Sequence, residues 1–139
     1  MMLLDTSVVI PAVRGTGSDA LQRLITALHS EDFVRARVTE LELLQGARDE
    51  AEWTRLQTFL AAQEIIDPSA SVWREAARIR FDLRRKGMTI TSVLDCCIAQ
   101  MALERDLILV HDDSDFEMIA TVRPLKQQRL SGLEPFVAG

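Results

Sequence analysis

TSVLDCCIAQMALERDLILVHDDSDF, residues 91–116, reads as one helix, one buried strand and a burst of carboxylates where the strand ends. Apolar residues recur at Leu94, Cys97, Ile98, Met101 and Ala102, the spacing of a helix with one buried stripe. Arg105 and Asp106 interrupt that pattern, and Leu107-Ile108-Leu109-Val110 follows. An apolar run bounded by charge predicts a strand covered on both faces, the usual situation in a parallel sheet. His111-Asp112-Asp113-Ser114-Asp115 then crowds three acids beyond the strand's end. In open α/β sheets ligands bind outside the carboxyl ends of the strands. The rest of the chain must say what those acids are for.

Working outward, the N-terminus repeats the motif in miniature. Met2-Leu3-Leu4 predicts a first buried strand stopping at Asp5, with a helix beginning at Thr6 or Ser7 and Pro11 in its first turn. Arg14 to Ser18 reads as a turn, and Leu21, Leu24, Ile25 and Leu28 as an amphipathic helix. Phe33-Val34 predicts a second strand, and a helix opens at Val38. Asp49 to Gln63 is again helical, with Trp53, Leu56, Phe59 and Leu60 on one side. Glu64 to Asp67 is a brief strand ended by Pro68. A long helix from Ser69 carries Val72, Ala76, Ile79 and Leu83 to a stop at Gly87. Beyond the central stretch come a short helix near Phe116 to Ala120 and a last strand at Pro124-Leu125. Strands alternating with helices indicate α/β architecture around a mainly parallel sheet.

The bulk numbers fit one domain spanning residues 1–139, with 47% hydrophobic and 27% charged residues. A net charge of −5 argues against a broad nucleic-acid-coating surface and leaves room for a local basic groove. Arg78, Arg80, Arg84, Arg85 and Lys86 form the densest basic run, read either as a solvated helix face or as a contact for an RNA backbone. Cys96 and Cys97 are helical neighbours, unsuited to a mutual disulfide, and are expected to be reduced packing residues of a cytoplasmic protein. No apolar run is long enough to span a membrane, so no membrane partner is expected.

Asp5, Glu42, Asp95 and Asp113 each fall at a strand end or in a helix's first turn. Taken singly, each has a structural explanation. Thr39-x-x-Glu42 and Ser92-x-x-Asp95 match the capping box, and Asp5 and Asp113 suit simple N-caps. Taken together they converge on one edge of one sheet. Two unit charges about 4 Å apart repel by roughly 4 kcal/mol at an effective dielectric near 20, so such a cluster needs protons or a cation. All-oxygen ligands select a hard divalent ion, Mg²⁺ or Mn²⁺, and carboxylate-held Mg²⁺ suits phosphodiester chemistry. A phosphatase or phosphotransfer α/β domain also clusters Asp at sheet edges. It would want a second acid two residues after Asp5, where this chain has Ser7.

Leu4-Asp5-Thr6-Ser7, Glu42-Leu43-Leu44-x-Gly46, Asp95-Cys96-x-Ile98-Ala99 and His111-Asp112-Asp113-Ser114-Asp115-Phe116 together resemble a PIN domain, in particular the compact VapC-type ribonuclease toxins of toxin–antitoxin pairs. The resemblance covers nearly the whole chain. It implies a three-layer sandwich, a short mainly parallel sheet flanked by helices, and Mg²⁺- or Mn²⁺-dependent endoribonuclease activity. The implied partners are an RNA substrate, a second copy in a homodimer and a VapB-type antitoxin. Catalytic acids carried over are Asp5, Glu42, Asp95 and Asp113, with Asp5, Asp95, Asp113 and Asp115 as metal ligands. Glu40 competes with Glu42, but the two stand about 200° apart on a helix and cannot both face one site. Thr6 and Ser7 carry hydroxyls beside the first acid, for capping or for orienting water. His111 stands where many relatives carry threonine or serine. A catalytically silent PIN fold used for protein binding is the remaining alternative. Leu21, Leu24, Leu28, Leu41, Leu44, Trp53 and Leu56 supply apolar surface for a partner groove, with Trp53 its expected anchor.

Overall fold

The computed structural model describes residues 1–14 and 33–130. The predicted helix around Leu21 to Leu28, with the Gly15 to Ser18 turn before it, lies outside the described residues.

Three apolar residues, Met2–Leu4, make the central strand β1. It pairs in parallel with β2 (Phe33–Ala36) on one side and β4 (Ile108–His111) on the other. β3 (Ile65–Ile66) extends the first side and β5 (Gln127–Arg129) the second, so the order is β3-β2-β1-β4-β5, parallel throughout. Period-two alternation then sorts the side chains. Leu3, Val34, Ile66 and Leu109 meet one helical layer; Leu4 and Val110 meet the other, with Met2, Phe33 and Ile65 packed partly buried against it. The result is the expected three-layer sandwich.

The first layer is a helical hairpin of α4 (Ala70–Arg85) and α5 (Val93–Glu104), with α6 (Ser114–Ile119) beside it. In α4 the buried residues Val72, Ala76, Ile79 and Leu83 follow the predicted stripe. The α5 helix departs from prediction. Cys96 through Ala99 are all buried, together with Met101 and Ala102, whereas Leu94 is only partly so. Clasped between α4 and the sheet, the helix leaves only the strip of Val93, Gln100 and Glu104 toward solvent, so apolar residues cover most of its surface. Ser69 and Ser71 donate to Glu104 at 3.0 and 2.7 Å, tying the start of α4 to the end of α5. The hairpin therefore carries the start of α5, with Asp95, to the carboxyl edge of the sheet.

Gly87 turns the hairpin. Its φ is +74°, and Gly87 N–H and Met88 N–H bond back to Arg84 and Leu83 carbonyls at 3.0 and 2.9 Å. This is the glycine helix stop of the Schellman type. A Cβ there would meet nothing within 4 Å, so only conformation opposes it. Gly87→Ala is expected to cost about 1 kcal/mol of stability, the left-handed penalty for an L-residue, with cleavage per folded molecule unchanged. A urea titration measures it.

The second layer comprises α1 (Thr6–Arg14), α2 (Arg37–Gln45) and α3 (Glu50–Ala61). Here Val8, Val9, Leu43, Leu56 and Leu60 close over the sheet. Pro11 sits at the sixth position of α1, not in its first turn, because the helix starts directly where β1 ends. The stripe of α3 also differs from expectation. Glu52, Leu56 and Leu60 form its buried face, while Trp53 stands at the flank, 39% exposed. Glu52 displaces Trp53 because it is fully satisfied there: Arg48 at 2.6 and 2.8 Å and Arg14 at 3.1 Å hold its carboxylate. Those bonds pull its pKa down to about 2 and lock the end of α1 onto the start of α3.

The last strand among the described residues is Gln127–Arg129, not Pro124-Leu125. Leu125 is instead a buried plug in the first layer. An edge strand needs no two-sided apolar character, so its polar sequence does not announce it.

Candidate active site

Strand order reverses between β1 and β4: the chain leaves β1 toward β2 and β3, then crosses back to β4 and β5. Such a switch point opens a crevice at the carboxyl ends. Asp5 N–H bonds Val110 C=O at 3.0 Å, so the two strand ends are stitched together there. Ser7 completes the stitch. Its Oγ donates to Asp5 Oδ2 at 2.6 Å and accepts Asp112 N–H at 2.9 Å.

Asp5 is only 3% exposed. Its Oδ2 also accepts Ser7 N–H at 3.0 Å, so one oxygen does cap α1. Its Oδ1 is buried and has no hydrogen-bond partner among the described residues. Capping thus uses half of the carboxylate and leaves an orphaned acceptor aimed elsewhere. Burial raises the pKa of this acid, against the lowering effect of the Ser7 and Thr6 bonds.

Glu42 lies at the sixth position of α2, beyond the first turn, because the helix begins at Arg37. The predicted Thr39–Glu42 capping box does not form. Thr39 is completely buried inside the helix, and Glu42 Oε1 accepts from Thr6 Oγ1 at 2.9 Å. Burial raises the pKa of Glu42, and the negative charges of Asp5 and Asp113 push it the same way. Glu40 points away and pairs with Arg37 at 2.9 Å.

Asp95 occupies the first turn of α5 behind the N-cap Ser92, whose hydroxyl accepts Leu94 N–H at 3.2 Å. Asp113 is the N-cap of α6, its Oδ1 accepting Asp115 N–H at 2.9 Å. Asp115 is 3% exposed and takes Thr91 N–H at 2.9 Å on Oδ2. One oxygen from each of Asp95, Asp113 and Asp115 lies within 4.8 Å of the others. Burial, then the hydrogen bond that protonated Asp95 donates to Asp115, then the charges of Asp5, Asp113 and Asp115 raise the pKa of Asp95 to about 9. Asp5 and Glu42 are outside that trio, joined to it through their mutual fields.

Such a set has a definite chemistry. Carboxylates that raise one another's proton affinity in a buried crevice take up protons or a cation. The donor set is oxygen only. The neighbouring Cys96 is buried and stands outside that group, its thiol pushed up to about 12 by burial and Asp95. A hard divalent ion fits these residues, and the orphaned Asp5 Oδ1 is the acceptor it would satisfy.

Residues 2–122 match the PIN domain family. The chain belongs to it. Relatives within it include a VapC ribonuclease of Mycobacterium bovis, 34% identical over 91% of this chain and 96% of its own length. Ribonuclease VapC51 of Mycobacterium tuberculosis is 35% identical over 86% of this chain and 85% of its own. FitAcB from Neisseria gonorrhoeae superposes with a TM-score of 0.80 at 22% identity, covering 96% of this chain and 100% of that one. VapBC2 from Rickettsia felis, bound to a DNA fragment from its promoter, gives 0.75 at 24% identity over 92% and 97%. At these identities the two structures show the PIN fold of the chain.

The polar frame around the PIN-domain acids escapes a sequence reading. Gln127 and Arg129 of β5 brace the acidic turn: Gln127 meets His111 at 2.6 Å, and Arg129 meets Glu117 at 2.7 Å and Asp112 at 3.4 Å. No local signal marks them, because their partners lie on other elements. The basic run of α4 divides. Arg78 and Arg123 share Asp82 at 3.1 and 2.9 Å, while Arg84, Arg85 and Lys86 remain exposed where α4 ends.

Proposed function

We propose that this PIN domain is a VapC-type endoribonuclease toxin, dependent on Mg²⁺ or Mn²⁺ and neutralised by a VapB-type antitoxin. The observation that carries the reading is the gathering of Asp5, Glu42, Asp95, Asp113 and Asp115 at the switch point, with a buried Asp5 oxygen left unpartnered. The VapC ribonucleases among its relatives support the activity, and the VapBC complexes among its structural neighbours support the partner. The retained carboxylates speak against a catalytically silent module, and the PIN family match speaks against a phosphatase or phosphotransfer domain.

Asp95, Asp113 and Asp115 would hold the ion, with Asp5 closing the set from the β1 side. A bound Mg²⁺ or Mn²⁺ supplies a water of lowered pKa and neutralises charge developing on the scissile phosphate. Glu42, held by Thr6 and with its proton affinity raised, accepts the proton from the attacking water. Ser7 keeps Asp5 and the Asp112 backbone in register, so the β1 and β4 acids move as one unit. Arg84, Arg85 and Lys86 offer phosphate contacts. Leu41 and Trp53, large apolar side chains 59% and 39% exposed on α2 and α3, suit burial in a homodimer or against the antitoxin.

The test is cleavage of single-stranded RNA with Mn²⁺ against EDTA, on the parent and two glutamate variants. Glu42→Gln is expected to lower the rate about 100-fold, the usual size of losing a proton acceptor, and Glu40→Gln to stay within about twofold. Equal activity in both variants would remove Glu42 from the mechanism. Cleavage undiminished in EDTA would remove the metal.

A further inference from the structure

His111 ends β4 and is fully buried, with 0% of its surface exposed. Three contacts define its state. Its Nδ1 accepts the backbone N–H of Asp113 at 3.1 Å, its Nε2 lies 2.6 Å from Gln127 Oε1, and its ring packs on Phe116 with centroids 5.0 Å apart. A peptide N–H can only donate, so Nδ1 presents a lone pair. The ring proton therefore sits on Nε2 and is donated to Gln127, which makes His111 the neutral Nε2–H tautomer. Gln127 reaches it diagonally across the ladder, since Gln127 registers with Leu109 and Arg129 with His111.

The Nδ1 contact falls on a residue that matters. Asp113 has its own carboxylate committed through Oδ1 to Asp115 N–H at 2.9 Å, and its peptide nitrogen committed to His111. With both ends held, its side chain has little freedom to leave the trio it forms with Asp95 and Asp115. A side-chain acceptor bonded to the N–H two residues on is the turn that Ser, Thr, Asn and Asp build with short, mobile groups. Here a rigid ring builds it, wedged against Phe116 and buttressed from a second strand. Ring nitrogens set by the partner of the opposite nitrogen are how outer residues orient metal-site groups.

We propose that His111, with Gln127 behind it, is a positioning residue that fixes the Asp113 backbone and so presents the Asp113 carboxylate to the cation. The inference rests on the metal-site reading above. It assigns His111 no proton transfer and no contact with RNA.

Two measurements test it. Long-range proton–nitrogen correlation on the parent protein, with His111 identified by its loss in His111→Asn, is expected to show Nε2 protonated and Nδ1 bare. Mn²⁺ titration calorimetry on variants is expected to separate positioning from mere packing. In His111→Leu the acceptor is gone, and Mn²⁺ affinity is expected to fall about tenfold or more, as for other residues that orient a ligand. In His111→Asn the amide oxygen stands near the old Nδ1 and still accepts Asp113 N–H. Its affinity is expected to stay within about threefold of the parent although the Gln127 contact and much of the ring packing are lost. A role confined to packing would penalise the polar, smaller asparagine at least as much as leucine. Equal Mn²⁺ affinities for the two variants, affinities that simply follow their urea midpoints, or a proton on Nδ1 would each overturn the proposal. A parent protein that binds no Mn²⁺ overturns the metal reading itself, and this inference with it.

Discussion

Asp95→Asn is expected to lower RNA cleavage by about 100-fold or more, the scale of losing a group that stabilises developing charge, while the chain stays folded. Asp95 is strongly opposed to ionising, with its pKa near 9 through burial, the Asp115 bond and the charges around it. At neutral pH without a cation it is therefore a neutral carboxylic acid bonded to Asp115. Asparagine copies that state closely: same shape, no charge, and an NH₂ that can donate where the shared proton was. The variant's melting temperature is thus expected to equal or exceed that of the metal-free parent, because one carboxylate's repulsion can no longer be switched on. Activity and stability should move in opposite directions. A capping role predicts the reverse, since the substitution would weaken the start of α5 and leave cleavage per folded molecule intact. Rates normalised by the folded fraction, measured beside thermal melts, distinguish the two.

Metal-free protein is expected to lose stability as the pH rises from about 4 to about 9, and Mn²⁺ is expected to reverse that slope. The sign follows from Asp95. Its folded pKa of about 9 stands above the ordinary 3.8, so the folded chain retains a proton that the unfolded chain has released. That contribution is complete below 3.8 and drains away as the pH climbs through the folded value. Asp5 and Glu42 are raised as well and add to the same slope. Glu52 works the other way at the acid end. Lowered to about 2 from 4.5, it contributes above 4.5 and loses its contribution as the pH falls toward 2. Stability without metal should accordingly be greatest in mildly acid solution. Cation binding requires the ionised carboxylates and releases their protons, so the stabilisation it brings grows with pH. Urea titrations at about pH 5 and about pH 8.5, in EDTA and in Mn²⁺, read both slopes. A midpoint in EDTA that is flat or rising over this interval would mean that the acids are not buried against one another.

Local chemistry made much of this legible from the chain alone. Apolar runs ending in acids marked β1 and β4, a period near 3.6 marked α4, and the Gly87 stop placed the turn that returns the chain to the site. These signals survive because side-chain period and turn geometry are set by neighbours a few residues away. The segments bearing Asp5, Glu42, Asp95, Asp113 and Asp115 could be named for the same reason. What those acids do to one another could not. Only the reversal of strand order between β1 and β4 brings them together, and only burial there leaves Asp5 Oδ1 unpartnered and raises Asp95 toward 9. The same holds for the largely covered α5, for Glu52 taking the inner face that Trp53 was expected to fill, and for a polar β5 whose Gln127 meets the buried His111. Each depends on which distant element lies opposite. A one-dimensional pattern records the spacing of a residue's own side chains, whereas the desolvation and fields that decide its charge come from groups the fold alone supplies.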